Sequence, residues 1–220
     1  TVTIAYKGKV EHNDSTGAGG VIEEGGIQWM TSGKGILHKE YHEKNFSKKG
    51  GEMQMVQLWV NLPAKDKMTE PKYQNIENKD LAKVDLGNGI GSIDIIAGEF
   101  EKNKGPASSF TPLSLFNVKL NKGKGTSLSF NESHNTGLLI IKGNVTINNK
   151  EKVPTNHFVL FENKGKEFTI KAEDEAEILV LSGEPIDEPI ASYGPFVMNT
   201  NDEIKQTIDD FNSGKFGYLD

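Results

Sequence analysis

Cysteine is absent from the 220-residue chain, and so is arginine. The first absence removes disulfides, thiolate ligands, iron–sulfur clusters and cysteine nucleophiles together. Any metal must then sit on His, Asp, Glu or water. A chain without cysteine also fits a reducing compartment, so a cytoplasmic location is the expectation. All 25 basic residues are lysine, and the net charge is −6. Arginine's planar fork is the usual reader of guanine edges and phosphates, so direct nucleic-acid binding is not expected of an acidic, arginine-free chain. No apolar run approaches the roughly 18 residues of a membrane span. The opening Thr1-Val2-Thr3-Ile4-Ala5-Tyr6 has neither a basic n-region nor a signal cleavage pattern. The glycine clusters Gly17-Ala18-Gly19-Gly20 and Gly87-Asn88-Gly89-Ile90-Gly91 lack the Lys-Ser/Thr of a phosphate loop and have no helix behind them, so they read as turns. No nucleophile-elbow pattern surrounds any serine.

What is present is a series of short strands broken by Gly, Asn and Asp. Hydrophobic residues make up 35% of the chain and charged residues 25%, enough apolar material for a packed core. Alternation and turn residues predict strands over 2–6, 10–12, 20–22, 27–30, 36–40 and 53–61, then over 90–97, 114–120, 126–130, 137–141, 144–147, 157–161, 167–171 and 176–183. Many strands with few helices point to sandwiches or barrels. Tyr6-Lys7-Gly8-Lys9-Val10 is echoed 135 positions later by Ile141-Lys142-Gly143-Asn144-Val145. The echo suggests two similar β domains, over 1–63 and 76–183, with a charged, Pro-containing linker over 64–75. The tail, 184–220, differs. Thr200-Asn201-Asp202-Glu203 is a capping box, Ile204, Ile208 and Phe211 follow at helical spacing, and Gly214 supplies a stop, which predicts a helix over about 201–213.

The most informative stretch runs from Gly26 to Glu40 and ends in His38-x-Glu40 on a strand-like background. Residues i and i+2 of a strand point to one face. An imidazole and a carboxylate facing one way suit a divalent metal with nitrogen and oxygen ligands. Two ligands alone do not complete a site.

Three patches, in order, carry a family resemblance. Gln28-Trp29-Met30-Thr31-x-Gly33-x-Gly35-Ile36-x-His38-x-Glu40 is similar to the signature of the pirins. Val60-Asn61-Leu62-Pro63 with Met68-x-Glu70-Pro71-x-Tyr73-Gln74 resembles the pirin interdomain segment. Ser192-Tyr193-Gly194-Pro195-Phe196-Val197-Met198-Asn199-Thr200, then Glu203-Ile204 and Gly214-x-Phe216-Gly217, resembles the pirin C-terminus. The resemblance implies an all-β bicupin: two cupin-type β-barrels, each a double-stranded β-helix, with a C-terminal helix. It implies one mononuclear non-heme iron in the N-terminal barrel. It also implies either quercetin 2,3-dioxygenase activity, as in bacterial pirins, or transcriptional co-regulation, as in animal ones.

The family's iron is held by three His and one Glu, beginning with a His-x-His-x-Gly-Phe-Glu segment that leads into a strand like Thr1–Gly8. That segment is expected upstream of Thr1. Only His38 and Glu40 carry over, which is short of a two-His, one-carboxylate set, so a metal-free state is one expectation for the chain as it stands. His12, at a strand end before Asn13-Asp14, reads as satisfying backbone groups in a turn. His42 reads as the start of a solvated loop. Aligning Gly143 with Gly8 puts Ser129, Asn131 and Asn135 at the lost ligand positions of the second barrel, and His134 and His157 read as hydrogen-bonded or exposed, so no metal is expected there. Gln28 and Met30 share one strand face and are candidate substrate-binding residues beside ordinary barrel packing. The resulting expectation is an iron-dependent dioxygenase acting on a flavonol, with His38 and Glu40 as ligands and Glu40 also as catalytic base. The alternative is a non-enzymatic metal-binding protein that contacts a regulatory partner.

Overall fold

The computed structural model describes residues 1–219. Two compact units divide the chain: Thr1–Asp80 together with the segment from Ile186 onward, and Leu81–Pro185. No helix among the described residues is long and apolar enough to cross a membrane.

The first unit carries β1 (Val2–Lys7), β2 (Val10–Asp14), β3 (Gly19–Ile22), β4 (Ile27–Thr31), β5 (His38–His42), α1 (Lys44–Lys49), β6 (Gln54–Leu58) and β7 (Lys72–Ile76). All pair antiparallel, in a four-stranded sheet of order β6-β1-β4-β7 and a three-stranded sheet of order β3-β2-β5. β1 and β4 are buried on both faces. One face of β1 presents Val2 and Ile4, and the other presents Thr3 and Ala5. Thr3 stands opposite Gln28 on one side and Gln57 on the other, and Gln28 stands opposite Asn75, so one polar row crosses the four-stranded sheet.

The structure corrects three sequence expectations here. The stretch 64–75 is not simply a linker. After a 3-10 turn at Ala64–Asp66, Lys72–Ile76 forms β7 on the edge of the sheet, and the division between units falls after Asp80. Its pattern hid it because β7 has one buried aliphatic residue, Ile76, and is otherwise polar or aromatic. The loop expected after His42 is a short helix, in which the Glu43 carboxylate accepts from the Asn45 and Phe46 N–H groups at 2.9 Å each. β5 runs His38–His42, two residues later than expected, which preserves which side chains share a face.

The second unit holds β8 (Ala82–Asp85), β9 (Gly91–Ala97), β10 (Glu99–Phe100), β11 (Asn103–Lys104), β12 (Leu113–Leu120), β13 (Gly125–Ser129), β14 (Asn135–Lys142), β15 (Val145–Ile147), β16 (Glu151–Val153), β17 (Phe158–Leu160), β18 (Glu167–Ala172) and β19 (Ala176–Gly183). A six-stranded sheet of order β17-β14-β19-β12-β9-β8 and a four-stranded sheet of order β13-β18-β15-β16 enclose one apolar core. Phe116, Val118 and Ile178 enter it from the first sheet, and Leu128, Ile147 and Ile170 from the second. Phe116, Phe130, Phe168 and Phe161 run through it with ring centroids 5.9, 6.1 and 4.5 Å apart in turn. Ser129, Asn131 and Asn135 are exposed, outside this filled interior. His134 Nδ1 is 3.3 Å from the Ser182 hydroxyl, and the exposed His157 places its Nδ1 3.0 Å from the Thr155 carbonyl.

The C-terminal segment of the first unit adds a hairpin of β20 (Ala191–Tyr193) and β21 (Phe196–Met198), then α2 (Asn201–Asn212). The Thr200 hydroxyl accepts from the Glu203 N–H at 3.2 Å, and the Glu203 carboxylate accepts from the Thr200 N–H at 2.8 Å, so the reciprocal capping box is formed.

Candidate metal centre

β2 and β5 each carry a His-x-acid doublet, and they run antiparallel. Their register puts His12 opposite Glu40 and Asp14 opposite His38. Four functional side chains therefore meet across one ladder. One nitrogen of His12, one of His38 and one oxygen of Glu40 all lie within 4.8 Å of one another. Among the described residues this is the one such group of three or more His, Asp and Glu donors.

His12 is the correction to the sequence reading. It is fully buried in mid-strand, not a turn residue, and it raises the set to two His and one carboxylate. Its Nε2 faces the buried Asp14 Oδ2 at 3.3 Å. A carboxylate can only accept, so Nε2 donates to Asp14, which in the neutral ring leaves the lone pair on Nδ1. Nδ1 is buried without a hydrogen-bond partner among the described residues, 3.8 Å from Glu40 Oε1. Asp14 is itself fixed. Its other oxygen, Oδ1, accepts from the Thr16 N–H at 2.9 Å, the Thr16 hydroxyl at 2.6 Å and the Ala18 N–H at 3.3 Å, closing the turn into β3. Those bonds, with His12, outweigh burial and hold the Asp14 carboxyl below its usual range.

Glu40 is held by the opposite sheet. Its Oε1 accepts from Gln28 Nε2 at 2.6 Å and from the Thr3 hydroxyl at 3.0 Å, and Gln57 Nε2 donates to Oε2. Burial alone would raise this carboxyl, but the hydrogen bonds from Thr3 and Gln28 outweigh it and hold Glu40 low. Burial lowers His38, with Glu40 offsetting only part, so its imidazole stays neutral. Tyr73 stacks on His12 with centroids 5.0 Å apart, and burial, with Asp14 and Glu40 adding to it, pushes its hydroxyl up to about 12. The centre has a closed back at His12 and an open side at the exposed His38.

A neutral imidazole, a second imidazole with its tautomer set by a carboxylate, and an ionised carboxylate are the protonation states that metal ligation requires. The orphaned His12 Nδ1 is the particular sign that the set fits an ion. Gln28 and Met30, the candidate substrate residues, lie in the buried wall of β4, where Gln28 is occupied with Glu40. His42, exposed at the end of β5 with its ring edge-on to Phe46 at 5.9 Å, is outside the cluster.

Comparison with known proteins points to one family. Residues 1–60 match the Pirin family and residues 115–217 match the Pirin C-terminal cupin domain. A Pseudomonas aeruginosa protein named "Putative quercetin 2,3-dioxygenase" is 44% identical over 98% of this chain and 75% of its own length. The chain belongs to the pirin family. A pirin-like protein of Caulobacter vibrioides is 37% identical over 98% of the chain and 76% of its own length. The crystal structure of a quercetin 2,3-dioxygenase from Acinetobacter baumannii superposes with a TM-score of 0.95 at 46% identity, covering all of this pirin and 76% of that chain. The all-β cupin architecture read from the sequence is thus the family's own.

Proposed function

We propose that this pirin is a dioxygenase acting on flavonols such as quercetin, with one non-heme iron held by His12, His38 and Glu40. The observation that carries the reading is the buried, unpartnered Nδ1 of His12, aimed at Glu40 with its tautomer set by Asp14. The names of the relatives in Pseudomonas and Acinetobacter support the reaction class. Two His and one carboxylate suit iron with positions left for oxygen and substrate. When bound, iron supplies Lewis acidity and a redox centre for reaction with oxygen.

The protein's own groups do the rest. Glu40 is a ligand and the acceptor of the flavonol's phenolic proton. Held low by its hydrogen bonds, it is a strong ligand and a weak base, so it takes that proton only from a phenol the site has made more acidic. Thr3, Gln28 and Gln57 restrain its carboxylate, and Met30 continues the same wall two residues beyond Gln28. The open side at His38 is where a planar aromatic substrate enters.

The test is anaerobic loading of the purified chain with ferrous iron, followed by metal analysis, oxygen uptake and loss of quercetin absorbance. One iron per chain and flavonol-dependent oxygen uptake are expected, and His38→Ala should remove both. Stoichiometric iron with no uptake on any flavonol would favour the regulatory metal-binding alternative. A chain that takes up no iron would refute the assignment of the site.

A further inference from the structure

We infer that the Phe216–Gly217 segment, near the far end of the chain, is a positioning brace for the metal centre, acting through Ser15. The inference rests on the metal reading above. Ser15 directly follows Asp14 and Leu37 directly precedes His38, so these two residues close the end of the β2–β5 ladder. The Ser15 N–H donates to the Leu37 carbonyl at 2.8 Å, but the return bond is made by a side chain: the Leu37 N–H donates to Ser15 Oγ at 3.0 Å. The hydroxyl's one proton goes to the Phe216 carbonyl, 2.5 Å away and 201 residues distant in sequence. A hydroxyl with its proton and a lone pair both committed has a fixed direction. The separation of the two ligand strands at Asp14 and His38 is therefore tied to where the Phe216 carbonyl sits.

That carbonyl is anchored by its own side chain. The Phe216 ring is buried against the backbone of Gly35, where a Cβ would lie 2.1 Å from ring carbon Cε1, so only glycine admits it. Gly35 also holds φ +121°, a conformation that side chains disfavour. The ring packs in turn against Phe211 of α2 and Phe196 of β21, with centroids 6.1 and 6.3 Å away. Gly217 presses on Ser15, since a Cβ there would stand 3.1 Å from the Ser15 Cβ. A second contact steadies the same loop: the Lys34 N–H donates to the Thr69 carbonyl at 2.8 Å. The loop leading into His38 is thus clamped between a segment at 69 and the C-terminal brace. Ligand constellations tolerate displacements of only about 0.5 Å, so slack at Ser15 reaches His38 and, through Asp14, His12.

The experiment uses the full chain and cobalt(II), whose visible absorption reports ligand geometry. Wild type, Ser15→Ala, Ser15→Thr and Phe216→Leu are titrated with Co2+ and compared by far-UV circular dichroism without metal. Ser15→Ala and Phe216→Leu should keep the folded spectrum, bind Co2+ about ten- to a hundredfold more weakly, and show a shifted cobalt band. Ser15→Thr, which keeps the hydroxyl, should recover most of the affinity. Wild-type affinity and an unchanged band in both Ser15→Ala and Phe216→Leu would overturn the brace while leaving the metal reading intact. So would loss of the folded spectrum in both, because the segment would then hold the fold and not the centre. A wild-type chain that binds no Co2+ overturns the metal reading, and the brace falls with it.

Discussion

Asp14→Asn tests the centre at its buried back. The two side chains have nearly the same shape, and Asn keeps one carbonyl oxygen. That oxygen is needed at Oδ1, where Thr16 N, Thr16 Oγ1 and Ala18 N all approach within 3.3 Å. If it stays there, the new NH2 faces His12 Nε2, which must then accept. The ring proton moves to Nδ1 and closes the atom that would hold the metal. Loss of such a supporting carboxylate typically weakens metal binding by about ten- to a hundredfold, or about 1.4–2.7 kcal/mol. If the amide flips instead, NH2 meets the donors of the turn, and the loss appears as stability, at about 1 kcal/mol per bond. Two measurements separate these cases: a competitive metal titration against a chelator, and the His12 tautomer from long-range nitrogen–proton NMR correlations. Wild-type affinity, tautomer and melting midpoint together in Asp14→Asn would refute the argument that Asp14 sets the His12 lone pair.

Two further outcomes are expected away from the centre. Thr200→Ala should lower stability by about 1 kcal/mol through loss of the helix cap, read as a lower melting midpoint, with metal affinity unchanged. Lys67 is buried, with its ammonium donating to Asn61 Oδ1 at 2.8 Å, and burial lowers its pKa further than Glu188 and Glu203 restore it. Between that depressed value and the ordinary 10.5 the unfolded chain binds more protons than the folded one, so Lys67's contribution to stability rises with pH across that window. Denaturant unfolding at several alkaline pH values should show this rise in wild type relative to Lys67→Met; parallel curves would count against it.

Much of the architecture could be read from local signals. The capping box and its helix are set by residues adjacent in sequence and fall where expected. Every strand expected from period-2 alternation has an observed counterpart, some with shifted ends, whereas short or polar strands such as β7, β8 and β16 have no such signal. His12 was missed because Asp14 has two roles. Asn13-Asp14-Ser15-Thr16-Gly17 looks like the turn that one Asp14 oxygen does close, while the other oxygen belongs to the strand. Carrying the alternation Val10, His12, Asp14 two residues further would have placed His12 on the face of a paired His-x-acid doublet. The convergence of Thr3, Gln28 and Gln57 on Glu40 had no comparable local signal. It depends on the register of β6, β1 and β4 and on the facing of two sheets. β7 was hidden for a related reason, since an edge strand that is polar except for Ile76 does not look like a strand.

The two units show that one architecture can be filled in two ways. The interior of Leu81–Pro185 is closed by stacked phenylalanines, whereas the first unit carries the row Gln57, Thr3, Gln28 and Asn75 across its four-stranded sheet. Buried polar residues normally cost stability unless they are paired. Thr3 and Gln28 are fully buried, and the acceptor their donors share is Glu40. Glu40 is therefore needed by its neighbours before any metal arrives. Glu40→Ala should then destabilise even the metal-free chain. Gln28 Nε2 and the Thr3 hydroxyl proton both lose their acceptor, although the Thr3 oxygen still accepts from Gln57 at 3.1 Å. Each of these two stranded buried donors costs about 1–3 kcal/mol, partly offset because a half-buried carboxylate no longer has to be desolvated. A drop of that order in the metal-free unfolding free energy would mean that the polar row and its carboxylate form one stable set. An equal or higher stability would mean that the carboxylate is held there at a cost to the fold, as binding sites often are, and that the row is maintained by metal and substrate alone.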